Sequence, residues 1–287
     1  MKTIASAVVF CFKQILTFVS VIMPNFIKNQ FMRAKYIPMI LSIIITTSAS
    51  AQLTKVEYKD DAQVLSGLSA IPKKVNTNKP GVLILPAWKG IDAHSEEVAT
   101  ELSAMGYYAF VADIYGVDKR PKDTKEAGEK AGFYKKNITE YQKRISLALA
   151  ELVKQGANAD NIIVIGYCFG GTGAIEAART NMKVKGVISF HGGLGKDASR
   201  QINSISPKVL VLHGADDSYV PETEIKAFQE EMRTAKADWQ MNYYANAVHA
   251  FTEKSAGSDN SKGAAYNELA DKRSWEAMKV FFKEVFK

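Results

Sequence analysis

The chain of 287 residues is 47% hydrophobic and 23% charged, enough apolar material to bury a core and too much for a disordered or low-complexity polymer. Its 37 basic and 30 acidic residues give a net charge of +7. Five of the basic residues (Lys2, Lys13, Lys28, Arg33, Lys35) and no Asp or Glu fall in residues 1–51, so the remainder carries only +2, which excludes the electrostatic footprint of a nucleic-acid-binding domain.

Those first 51 residues do not read as part of a soluble fold. Met32-Arg33-Ala34-Lys35 is a basic start, residues 36–45 an apolar core, and Ala49-Ser50-Ala51 a small-residue cleavage site before Gln52, the three parts of a secretory signal. The apolar core is too short to span a bilayer comfortably. This predicts a signal over residues 32–51 cleaved after Ala51, and a secreted or periplasmic mature chain of residues 52–287 without a stable membrane anchor. Residues 1–31, in which Lys13 interrupts an apolar run, are either upstream of a true start at Met32 or an additional hydrophobic anchor; the completeness of the Met32 signal favours the first. Cys11 lies in this leader, so the mature chain keeps Cys168 alone. It can build neither a disulfide nor a cysteine-based zinc site, and a lone thiol in an oxidising compartment is a candidate reactive group.

In chain order, residues 53–58 and 62–71 alternate as an opening pair of strands. After the turn at Pro80-Gly81, residues 82–85 form a continuous apolar run of the buried-strand kind, left by the loop Pro86-Ala87-Trp88-Lys89-Gly90. Residues 92–105 have helical spacing, stopped by Gly106, with His94 expected in a solvated cap region. A strand over 107–114 leads into the loop from Tyr115 to Pro121. Residues 122–156 read as mostly helical and charge-rich, amphipathic over 138–153, and 122–136 is a solvated surface or a small lid. Residues 161–165 are the next apolar strand.

That strand runs into Gly166-Tyr167-Cys168-Phe169-Gly170-Gly171 and then a helix-like run. A strand turning sharply into a helix at a reactive residue between glycines is the nucleophile-elbow pattern, with cysteine where serine is more usual. Side chains at Gly166 and Gly170 would collide with the packed backbone of such a turn, and the new helix aims its free N–H groups at the sulfur, which favours thiolate. The structural alternative for Cys168 is a small buried hydrophobe.

Further strands over 184–190 and 208–212 end at His191-Gly192-Gly193 and at His213-Gly214-Ala215-Asp216-Asp217. A helix follows from Pro221 to about Ala235, a strand over 239–244, the loop containing Val248-His249-Ala250-Phe251, and a last helix over 271–286. Alternating strands and helices predict an α/β fold with a mostly parallel, doubly wound sheet flanked by helices. Nucleophile, acid and histidine in that order, each at a strand end, is the α/β-hydrolase order. His249 is the expected base, because it alone lies on a loop after the last strand; His191 and His213 are expected to line the pocket or make satisfied polar contacts. Spacing prefers Asp217 over Asp216 as the acid. An oxyanion hole is expected from the backbone N–H of Phe169 and of Trp88, with Ala87 as the near alternative. Trp88, Tyr115 and Phe251 are the expected substrate-binding side chains.

Taken together, the elbow, Asp217-Ser218-Tyr219-Val220-Pro221 and His249-Ala250-Phe251 resemble the dienelactone hydrolases, α/β-hydrolases with a cysteine nucleophile. The resemblance covers nearly the whole mature chain and implies catalytic roles for Cys168, Asp217 and His249, supporting Asp217 over its neighbour. It also implies a glutamate where this chain has Ala87, and carboxylate-binding arginines where it has Val117 and Glu253, which puts dienelactone itself in doubt as a substrate. The expectation is an exported hydrolase of small esters, lactones or thioesters that forms a cysteinyl acyl-enzyme and uses no metal or organic cofactor. The alternative is a catalytically silent ligand-binding protein on the same fold. Residues 254–263 could cover the pocket.

Overall fold

The computed structural model describes residues 52–286; the expected signal over 32–51 and the upstream residues 1–31 lie outside the described residues. Eight strands, β1 (Thr54–Asp60), β2 (Gln63–Ala70), β3 (Gly81–Leu85), β4 (Tyr108–Val111), β5 (Ile162–Tyr167), β6 (Gly186–Phe190), β7 (Lys208–Gly214) and β8 (Trp239–Tyr244), form one sheet. Its order is β1-β2-β4-β3-β5-β6-β7-β8. β1 and β2 pair antiparallel, as do β2 and β4, and every later pairing is parallel.

Among the described residues six α-helices flank these strands: α1 (Ala93–Ala104), α2 (Thr124–Lys136), α3 (Ile138–Lys154), α4 (Phe169–Arg179), α5 (Glu222–Thr234) and α6 (Glu268–Val285). Because side chains alternate along a strand, the continuous apolar runs feed two cores. Leu83, Leu85, Val164 and Val209 pack with Tyr141 and Ile145 of α3, Ile175 of α4 and Phe228 of α5. Val82, Ile84, Ile163 and Leu210 pack on the other face with Leu102 of α1 and Met278 and Phe282 of α6. Both faces are covered, as a parallel sheet requires.

The chain leaves β3 for β4 on one side and returns to β5 on the other side of β3. A crevice forms where the winding direction reverses, at the carboxyl ends of β3 and β5. Cys168 and the 86–90 loop stand at those two ends.

Two element boundaries differ from expectation for local polar reasons. The strand expected over 107–114 stops at Val111, because the buried Asp113 carboxylate takes the N–H groups of Ser66, Tyr115 and Gly116 and turns the chain out of the sheet. The last helix begins at Glu268 rather than 271, since the Asn267 side chain caps the Ala270 N–H.

Candidate active site

β5 delivers Cys168 to the N-cap of α4 with φ 53° and ψ −112°, a left-handed backbone that a non-glycine residue adopts only under surrounding constraint. The glycines supply the constraint's clearance. A Cβ at Gly166 would lie 2.0 Å from the Gly170 carbonyl oxygen, and one at Gly170 would lie 2.0 Å from the Leu85 carbonyl oxygen. The Cys168 N–H is shared between the Phe190 carbonyl at 3.0 Å and His191 Nδ1 at 3.1 Å.

His249, on the loop after β8, places Nε2 3.0 Å from Cys168 Sγ and Nδ1 2.9 Å from Asp217 Oδ2. The other carboxylate oxygen of Asp217 accepts the Tyr219 N–H at 3.0 Å. Asp217 is buried whereas Asp216 is exposed, so the acid that reaches the histidine is Asp217. Burial acts to lower the His249 pKa, but the Asp217 carboxylate and the Cys168 sulfur outweigh it and push it up to about 10. Tyr219 stands edge-on to the imidazole, ring centroids 5.1 Å apart.

Cys168 and His249 open into a cleft of about 600 Å³ whose walls include Ala87, Trp88, Tyr219 and Glu253. The 86–90 loop is held by the Gly90 N–H donating to the Ala87 carbonyl and by the Tyr115 hydroxyl donating to the Trp88 carbonyl at 2.7 Å. Phe169, the first residue of α4, is stacked on Tyr141 at 4.5 Å, and its carbonyl accepts the Tyr141 hydroxyl. The N–H groups of Trp88, Ala87 and Phe169 thus belong to residues whose peptides are fixed around Cys168.

The dienelactone hydrolase family model matches residues 65–286. The chain belongs to the dienelactone hydrolase family. Membership makes it a hydrolase of ester or lactone bonds, on an α/β-hydrolase fold. A solved dienelactone hydrolase-like promiscuous phosphotriesterase from metagenomic libraries is 35% identical, with a TM-score of 0.78 over 83% of this chain and 100% of that one. An uncharacterised Caenorhabditis elegans protein is 33% identical over 123 residues, 42% of this chain and 78% of that protein. A provisionally named carboxymethylenebutenolidase of Salmonella typhimurium is 23% identical over 247 residues, 82% of this chain and 87% of the relative.

Several side chains stand elsewhere than the sequence led us to expect. Tyr115 is buried and acts on the cleft through its hydroxyl bond to the Trp88 carbonyl; it is a support and not a wall. Phe251 is fully buried, packed edge-on against His191 and beside Tyr244, because the 249–251 loop turns it into the core while His249 faces the cleft. Neither lines the cleft, whereas Trp88 does. His94 is not a solvated cap residue: its ring lies edge-on to Tyr167 at 4.7 Å with Nε2 buried, and desolvation lowers its pKa.

The other two histidines divide. His191 is wholly buried and satisfied at both nitrogens. His213 is buried against Tyr243 with Nδ1 unpartnered. Of the two positions where the resemblance implies arginines, Val117 is exposed and away from the cleft, and Glu253 lines it. Ser255 and Ala256, from the 254–263 segment, also edge the cleft, as does Lys135 at the end of α2. No group of His, Cys, Asp and Glu suited to a metal ion occurs among the described residues.

Proposed function

We propose that the protein is an exported hydrolase of small esters, lactones or thioesters that works through a Cys168-His249-Asp217 triad and a cysteinyl acyl-enzyme. The observation that carries this reading is the continuous contact from Cys168 Sγ through both nitrogens of His249 to Asp217 Oδ2, at 3.0 and 2.9 Å. In the first half-reaction the Cys168 thiolate attacks the acyl carbon, forming the C–S bond, and the carbonyl π electrons move onto oxygen. The Phe169 N–H, with that of Trp88 or Ala87, stabilises the oxyanion. When the oxyanion collapses, the C–O (or C–S) bond to the leaving group breaks and His249 Nε2–H protonates that group. A water then attacks the thioester carbonyl, His249 takes its proton, and Cys168 leaves as thiolate. Asp217 holds the imidazole by Nδ1 throughout and stabilises its cationic form.

Export rests on the signal read in residues 32–51. The deciding experiment is hydrolysis of a short-chain aryl ester by the 52–287 chain, with intact-mass detection of the acylated protein. Wild type should turn over and accumulate one acyl group on Cys168; Cys168→Ala should fold and do neither. Turnover retained in Cys168→Ala would end the mechanism, and no turnover by wild type would return the silent-binder alternative.

A further inference from the structure

One wall of the cleft holds a carboxyl group that the proposed mechanism does not use. Glu253 is 7% exposed, and its Oε1 is buried without a hydrogen-bond partner. His94 Nε2 lies 3.8 Å from that oxygen, too far for a hydrogen bond, and is likewise unpartnered. The Glu253 backbone is pinned in a turn by its N–H donating to the Ala250 carbonyl at 2.8 Å, one residue past the base, which holds its Cα beside the cleft that the residue lines. Asp92, which caps α1, lines the same wall. A buried polar atom left unpaired costs stability; Glu253 also contributes to the cleft wall, where a carboxyl short of partners favours a ligand that brings a hydrogen-bond donor.

We propose that Glu253 is a specificity residue of the cleft, accepting a hydrogen bond from an uncharged or cationic donor on the substrate (amide, hydroxyl or ammonium) and disfavouring substrates whose acyl part carries a carboxylate. This deepens the hydrolase reading and rests on it. The groups that face Glu253 are acidic on two elements, Asp92 at the start of α1 and Asp271 on α6, against the His249 imidazolium on its own loop. Burial first and then those two carboxylates raise Glu253 to about 8, with His249 opposing. Lys254 is turned away onto Glu97. Discrimination against anions therefore sharpens as Glu253 ionises in mildly alkaline solution, while His249 stays protonated to about 10.

Iodoacetamide and iodoacetate test this on Cys168, the one being a neutral amide donor and the other an anion of the same size. Their labelling-rate ratio cancels the thiolate fraction. In the 52–287 chain the ratio of amide to acid, normalised to a free thiol, should rise about fivefold from pH 6.5 to 9, the effect of one added charge at partly screened range. In Glu253→Gln it should change less than about twofold over the same span. A flat wild-type ratio, or the same rise in the variant, would overturn the inference. Should Glu253→Gln not fold, Glu253→Met takes its place with the same expectation, and a flat wild-type ratio overturns the inference without any variant. Labelling that discriminates without ester turnover would count against the hydrolase reading alone, and failure of both reagents to reach Cys168 would overturn the inference with the cleft as a ligand site.

Discussion

His191 Nδ1 accepts the Cys168 N–H at 3.1 Å, so a wholly buried imidazole holds the backbone of the residue at the centre of the cleft. With Nδ1 accepting, its proton sits on Nε2 and is donated to the buried Thr252 hydroxyl at 2.8 Å. Burial, helped by the nearby His249 and His94, pushes the His191 pKa well below its usual range, and the ring stays neutral in this bridge. His191→Ala should therefore lose about 2–4 kcal/mol of stability in urea unfolding, from the cavity and the orphaned Thr252 hydroxyl. It should also lower kcat more than KM, because Cys168 sits at φ 53° and relies on its surroundings for that geometry. His191→Asn, which keeps an acceptor and a donor, should restore part of kcat; equal loss in both variants would reduce His191 to packing.

The elbow glycines and a helix glycine give opposite expectations for one chemical change. A methyl at Gly170 meets the Leu85 and Pro86 carbonyl oxygens at 2.0 and 2.7 Å, backbone atoms at the end of the central strand β3 and the start of the loop after it, so Gly170→Ala should cost at least about 4 kcal/mol or prevent folding. Gly132, inside α2, has nothing within 4 Å of its added Cβ and no positive φ. Gly132→Ala should stabilise by about 0.5–1 kcal/mol. Denaturant midpoints of the two variants, measured side by side, check both signs.

The sheet was legible because buried parallel strands leave continuous apolar runs, such as Gly81–Leu85 and Ile162–Tyr167, and because glycine and proline mark their ends. Cys168 and His249 were legible because each stands in a short motif at a strand end, and chain order ties them together. What sequence could not convey was direction. Tyr115 and Phe251 lie within a few residues of cleft elements, yet one turns inward to bond the Trp88 carbonyl and the other packs behind His191. The same limit hid the approach of His94 to Glu253, which are 159 positions apart in the chain and meet only when α1 packs beside the loop after β8.

Glu253 also makes stability depend on pH in a direction opposite to that of an ordinary paired carboxylate. Its folded pKa, about 8, lies above the 4.5 of an unperturbed glutamate. Between those values the folded state holds a proton that the unfolded state has released, so unfolding free energy falls as pH rises. The slope from this one group is at most about 1.4 kcal/mol per pH unit, and the fall ends above pH 8 when both states are ionised. Glu253→Gln should flatten the curve between pH 5 and 8 and be more stable than wild type at pH 9. Urea titrations across that range check it; parallel curves for the two proteins would mean that Glu253 is ionised in the native state at neutral pH.

Tyr115 gives the last prediction, since it touches both elements that surround the proposed oxyanion. Its hydroxyl donates to the Trp88 carbonyl at 2.7 Å, and its ring lies nearly parallel to Phe169 with centroids 5.9 Å apart. Burial keeps the phenol protonated, so this bond persists across the working pH range. Tyr115→Phe keeps the ring contact and removes only the bond, leaving the 86–90 loop held by the Gly90 to Ala87 hydrogen bond and by the packing of Trp88 on the core. Stability should fall by about 1 kcal/mol, the usual worth of one hydrogen bond. Displacing a transition-state donor by a fraction of an ångström costs more than ground-state binding reveals, so kcat for an aryl ester should drop about tenfold with KM little changed. A drop confined to KM would instead place the Trp88 loop in substrate binding, and an unchanged kcat would move the second oxyanion donor away from this loop.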